Sequence, residues 1–198
     1  MILVSPEHTV LIESKAGLYD EDILTCGNRE WLSQNTRPVR AAIAQLWTVA
    51  GHLESADEAP AEARNGALFG LVVTNIDLHM GSVTRLATMY PTGKLEPSDA
   101  TQRRGSARLP PGRIYVVGAA AYDRLTECVA RQGLKLGPFL EACAAEDGDP
   151  HTSRLGIDEH LTDAKMPSLA SPVAHRAREE AIQWAEELQR RKGELKQA

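Results

Sequence analysis

Apolar residues in this chain fall into short β-rich runs and helix-spaced sets. Ile2, Leu3 and Val4 form one β-rich run, and Thr9 to Ile12 form a second that continues through Glu13-Ser14-Lys15 and stops near Gly17. Ser5-Pro6-Glu7-His8 between them has turn chemistry, because proline presets a turn dihedral and serine bonds nearby main chain. The pattern predicts a β-hairpin over 2–16. A turn centred on Pro6-Glu7-His8 would set Glu13 opposite Met1; a tighter two-residue turn would set Ile12 there. Residues 17–36 are polar and irregular, and include Tyr19, Asp20, Glu21, Asp22 and Trp31.

A helix is predicted from Pro38, which suits a first turn because its missing N–H costs nothing there. Val39, Ile43, Leu46, Ala50 and Leu53 recur at helical spacing, so one face is buried. A polar, Ala-rich connection follows from Ser55 to Asn65. Leu68 to Ile76 is the clearest buried strand, β-branched and interrupted by Gly70. Ser82 to Met89 reads as another strand. Residues 91–113 read as a loop poor in large apolar residues, with Lys94, Arg103, Arg104, Arg108 and Arg113 against Glu96 and Asp99. Ile114 to Val117 is a strand ending at Gly118, and Gly133 splits two helices over 120–132 and 134–146. Residues 147–172 read as a polar connection. A long amphipathic helix is predicted over 173–196, with Val173, Ala177, Ala181, Trp184, Leu188 and Leu195 on one stripe.

This order predicts an α/β (α+β) protein, a mixed β-sheet flanked by helices. The expected organisation is an α/β domain over 1–146, followed over 147–198 by a linker and a helical carboxyl-terminal extension. At 198 residues the chain can bury a core without disulfide or metal staples. Hydrophobic residues make up 42%, but 27 are alanine and only two are phenylalanine, so the core must be Leu, Val, Ile and closely packed Ala. No apolar run reaches the ~18 residues of a membrane span, and the first 15 residues do not have the pattern of a signal peptide. Cys26, Cys128 and Cys143 form no CxxC pair, which points to reduced, buried thiols in a cytoplasmic protein. A net charge of −5 argues against general coating of nucleic acid but leaves room for a local basic groove.

The chemistry concentrates at the end of the second predicted strand. Alternation puts Glu13 and Lys15 on one face and Ser14 on the other. A carboxylate there suits a hard cation such as Mg²⁺ or Mn²⁺, with the Ser14 carbonyl as a further oxygen ligand. Lys15 suits orientation of an attacking water and balance of transition-state charge. A solvated strand face would carry the same two charges. Arg37, Arg40, Arg103 and Arg104 are candidate contacts to a phosphate backbone. The basic stretch lacks interleaved aromatics for base stacking. His151, Asp158 and His160 match no structural zinc spacing, and Tyr19, Trp47 and Tyr115 read as packing residues. Phosphate-loop, dinucleotide, nucleophile-elbow and kinase motifs are absent.

The hairpin, its Ile-Glu-Ser-Lys-Ala end, the following glycine and the helix from Arg37-Pro38-Val39 to Gln45-Leu46 resemble the PD-(D/E)xK nuclease superfamily. Trp31 and the Pro-Val-x5-Gln stretch are similar to its nuclease-related-domain branch. The resemblance covers roughly 1–120. It implies a restriction-endonuclease-like fold and metal-dependent action on DNA phosphodiesters. Glu13, Lys15 and Gln45 would be the catalytic positions, and Glu13 and Ser14 the metal contacts. The family also needs a second acid on the first hairpin strand. Here that position falls at residue 1 or before it. Three expectations follow: a nuclease shortened at its amino terminus, a binding-only module for nucleic acid or protein, or a site completed by Asp20, Glu21, Asp22 or a partner subunit. An assembly protein with Glu13 and Lys15 as plain surface charges is a further alternative. The carboxyl-terminal stripe is the expected route to any homo-oligomer.

Overall fold

The computed structural model describes residues 1–15, 36–55, 60–75, 78–89, 95–149 and 151–166. Tyr19, Asp20, Glu21, Asp22, Cys26, Trp31, Lys94 and the stripe predicted over 173–196 lie outside the described residues.

Strands β1 (Ile2–Val4) and β2 (His8–Lys15) form the expected hairpin, with Leu3 opposite Val10. The tighter turn is the one present. The Ser5 N–H donates to the His8 carbonyl at 2.8 Å, and the Ser5 hydroxyl both donates to that carbonyl and accepts from the His8 N–H. Met1 and Ile12 exchange main-chain hydrogen bonds at 2.8 and 2.9 Å. Helix α1 (Arg37–Ser55) and the short α2 (Ala61–Asn65) lead to β3 (Ala67–Thr74), which pairs parallel to β2 with Glu13 beside Val72 and Lys15 beside Thr74. Strand β4 (Ile114–Gly118) pairs parallel to β3, giving one mixed sheet in the order β1-β2-β3-β4.

Two cores form because side chains alternate across each strand. On one face Leu11, Leu68, Val72, Ile114 and Val116 pack against Val39, Ile43, Leu46 and Trp47 of α1. On the other, Val10, Ile12, Phe69, Leu71, Tyr115 and Val117 meet Leu125 of α5 (Ala119–Gln132), Leu140 of α6 (Leu136–Asp147) and Leu161 of α7 (Ile157–Asp163). Gly133 ends α5 in the left-handed region, at φ 70°, where glycine carries no Cβ penalty.

Four segments differ from expectation, the first being the predicted connection over 55–65, whose Ala61–Asn65 part is helix α2 and buries Ala63. Ser82–Met89 is not a strand: Ser82 makes one isolated bridge to Tyr115, and Val83–Met89 is helix α3, burying Val83 and Leu86. The apolar spacing there serves a single-faced helix as well as a strand. Within 91–113, Ala100–Arg108 is helix α4 rather than loop. Asp99 caps it by accepting from the Gln102 N–H at 2.8 Å, and it packs through Gly105, so it needs few large side chains. Within 147–172, Ile157–Asp163 is helix α7, which buries Ile157, His160 and Leu161.

Candidate functional site

The carboxyl ends of β2 and β3 hold the predicted chemical residues. Pleating puts Glu13 and Lys15 on the α1 side with Leu11 and turns Ser14 to the opposite side. Lys15 Nζ lies 2.8 Å from Glu13 Oε1, with the two side chains 26% and 30% exposed. The pair is therefore half-wet and charge-balanced. Ser14 is exposed and lines a cavity of about 410 Å³ with Met1, Ile12, Glu13, Val73 and Tyr122.

The structure brings Glu13, Ser14 and Lys15 together but does not join the other candidates to them. Gln45 is exposed on α1, away from the buried Ala42, Ile43, Leu46 and Trp47, with no hydrogen bond to Glu13 or Lys15 among the described residues. Arg37 is exposed in the first turn of α1, and Arg40 is partly buried one turn later. Arg103 and Arg104 are exposed on α4, where Arg104 donates to the Thr101 hydroxyl. Arg108 is tied inward, to the Ala63 and Arg64 carbonyls.

Glu13 offers one carboxylate and Ser14 one main-chain carbonyl. Mg²⁺ commonly takes one or two carboxylates and fills its other positions with water and substrate phosphate oxygens. The pair meets the lower end of that requirement, with one Glu13 oxygen already held by Lys15. Among the described residues, no group of three or more His, Cys, Asp or Glu side chains is disposed to hold a metal ion.

A second titratable cluster lies under the other face. His160 is buried between two carboxylates: Nδ1 is 3.0 Å from Glu146 Oε2, and Nε2 is 3.2 Å from both Asp147 oxygens. Burial alone would depress the imidazole, but Asp147 and Glu146 outweigh it and hold its pKa above the ordinary 6.5. Burial pulls Asp147 upward, yet His160, the Arg154 N–H and Tyr115 together hold it below the ordinary 3.8. Tyr115 is raised well above 10, first by burial and then by the charge of Asp147. Both ring nitrogens of His160 face carboxylates, which leaves neither to act on a substrate. Sequence reasoning grouped His160 with His151 and Asp158. Asp158 instead pairs with Arg124 at 2.6 Å, and only the return of α7 onto α6 reveals Glu146 and Asp147 as the partners.

Burial also raises the thiols of Cys128 and Cys143, so both are packing residues rather than nucleophiles. No described helix is long and apolar enough to cross a membrane.

No protein family, curated protein or solved structure matches this chain.

Proposed function

We propose that this chain is a nuclease-type domain of the PD-(D/E)xK kind, with a restriction-endonuclease-like core, acting on DNA phosphodiesters at the carboxyl ends of β2 and β3. The observation that carries this reading is the Glu13–Lys15 pair, held at 2.8 Å at the end of a hairpin strand that runs parallel to β3. An acid and a cation fixed on one strand face suit a reaction that builds negative charge on a phosphate. In this reading Lys15 orients the attacking water and balances that charge, while Gln45, exposed on the outer side of α1, takes no part. Mg²⁺ or Mn²⁺, held by Glu13 and the Ser14 carbonyl, would supply Lewis-acid polarisation of the phosphate. Arg37, Arg40, Arg103 and Arg104 contact backbone phosphates. A reducing, cytoplasmic setting fits the free buried thiols Cys128 and Cys143.

The test is cleavage of plasmid and single-stranded DNA by the full chain with Mg²⁺ or Mn²⁺. The expected result is metal-dependent cleavage that Glu13→Ala and Lys15→Ala each abolish. Cleavage unchanged in both variants would overturn the assignment.

The single carboxylate, already neutralised by Lys15, favours a second reading: a nuclease-fold module that binds DNA without cutting it. Its mark is salt-dependent binding with no product at any metal concentration, weakened uniformly across sequences by Arg103→Ala or Arg104→Ala.

A further inference from the structure

We propose, resting on the DNA reading above, that the cavity on the Ser14 side of the sheet seats one unpaired base of a DNA strand against Tyr122, so that single-stranded DNA is the substrate class of the site. Open α/β sheets bind ligands outside the carboxyl ends of their strands. Here β2 and β3 end at Lys15 and Thr74. Strand β4 ends at Gly118 and α5 starts at Ala119, with no residue between them. The first turn of α5 therefore stands at the same end of the sheet and brings Tyr122 to it. The cavity there measures about 410 Å³ and is lined by Met1, Ile12, Glu13, Ser14, Val73 and Tyr122, a size in the lower part of the range for small-molecule sites.

The walls are those of a base site rather than a phosphate site. Alternation turns Ile12, Ser14 and Val73 to the α5 side, with Ser14 directly beside Val73. Tyr122 packs, partly buried, against the same apolar cluster. Together they give an aliphatic floor and an aromatic wall. Ser14 is exposed and Tyr122 half-buried, and neither hydroxyl makes a hydrogen bond among the described residues. Burial raises the Tyr122 hydroxyl above the ordinary 10, so it stays protonated and able to donate. The charged groups of the lining residues are already engaged: Glu13 holds Lys15 on the other side of the sheet, and the Met1 ammonium donates to the Ile12 carbonyl. A phosphate finds no free cation among these residues. A neutral ring with polar edges finds a stacking surface and two hydroxyl partners.

Glu13 ties the two places together. Its carboxylate faces α1 with Lys15, while the residue also lines the cavity on the α5 side. A strand crossing the ends of β2 and β3 therefore passes from the phosphate position at Lys15 to the base position at Tyr122. In a duplex that base must first be unpaired and drawn from its stack, which a single strand avoids. Stacking on an aromatic ring accepts any base, because each has a π-face, so no strong sequence preference is expected.

The experiment is the affinity of the full chain for two single-stranded oligonucleotides of equal length, in Ca²⁺, a cation that takes the same oxygen ligands as Mg²⁺. One carries ordinary bases, and the other carries stable tetrahydrofuran abasic units throughout. Both present the same phosphates, so arginine contacts contribute equally and the ratio of affinities reads the bases alone. The ordinary strand is expected to bind about tenfold more tightly. Tyr122→Leu should bring the ratio near one, while Tyr122→Phe, which retains the ring, should preserve it. Ser14→Val, at an exposed position, narrows the cavity and should lower the ratio too; it carries the test if Tyr122→Leu fails to fold by far-ultraviolet circular dichroism. A ratio near one in an unaltered protein that binds and cuts DNA overturns the base site and leaves the DNA reading standing. Binding to neither strand overturns both. A ratio undiminished in a folded Tyr122→Leu or Ser14→Val variant also overturns the base site.

Discussion

Gly105 of α4 lies directly against the main chain of Trp47 in α1. A methyl group at Gly105 would run into the Trp47 carbonyl oxygen and come within 2.9 Å of the Gly51 nitrogen; one at Gly51 would meet the Thr101 carbonyl. The Trp47 indole N–H also donates to the Leu109 carbonyl at 3.0 Å, just beyond the end of α4. Neither helix can yield without losing this fit, because the obstacles are backbone atoms rather than flexible side-chain ends. Gly105→Ala is expected to destabilise the fold by about 3 kcal/mol, the upper part of the usual overpacking range. Urea denaturation reads this directly, and a midpoint equal to that of the unaltered protein would contradict it.

Gly133 gives a contrasting case. Its φ is 70°, yet an added Cβ would meet nothing within 4 Å. The cost of Gly133→Ala is therefore conformational alone, about 1 kcal/mol for a left-handed non-glycine residue. Gly133→Asn should cost less, because asparagine tolerates that region. Thermal melts should rank the three proteins glycine, asparagine, alanine.

The Glu13–Lys15 pair separates structure from function. A solvent-reached ion pair contributes about 0–1 kcal/mol, and this one is half-buried and within reach of water, so Glu13→Gln and Lys15→Met should leave stability within about 1 kcal/mol of the parent. DNA cleavage should nonetheless disappear in both. A large drop in melting temperature in either variant would mean that the pair holds the sheet end together.

His160 should make stability pH-dependent in a defined direction. Its folded pKa is raised above 6.5, so its contribution is complete below that value and is lost as pH rises through the folded pKa. Asp147 is depressed below 3.8, so its contribution is present above that value and fades as pH falls through its folded pKa. The buried pair is therefore strongest between about 3.8 and 6.5. Denaturation at stepped pH should show the unaltered protein losing stability above about 6.5 relative to His160→Gln. Parallel curves for the two proteins across pH 6–9 would refute this.

The strands and the long helices were legible because their own residues carry the pattern. Leu68 to Val72 is buried on both faces and so is continuously apolar, and Ile76 lies outside the described residues. Val39, Ile43, Leu46, Ala50 and Leu53 mark one face of α1, and all are buried. The hairpin was legible down to its two possible registers, and the hydrogen bonding of Ser5 with His8 selects one. Helix α4 was hidden because it packs with a glycine. A method that looks for large apolar residues at helical spacing finds none there. Helix α7 was hidden because it is seven residues long and five of them are polar; its place depends on Arg124, which reaches Asp158, Thr162 and the Met166 carbonyl from α5.

Sequence alone determined which face of β2 carries Glu13 and Lys15, since strand alternation is a local property of the backbone. It also determined that the core is built from aliphatic residues and alanine. Tertiary structure decided what those residues meet. It left Gln45 on the outer side of α1, seated Gly105 on Trp47 and enclosed His160 between Glu146 and Asp147. Those contacts depend on how helices return to the sheet. Residues 54 to 58 positions apart in the chain, such as Gly51 or Trp47 and Gly105, are brought into touch only by the packing of whole elements.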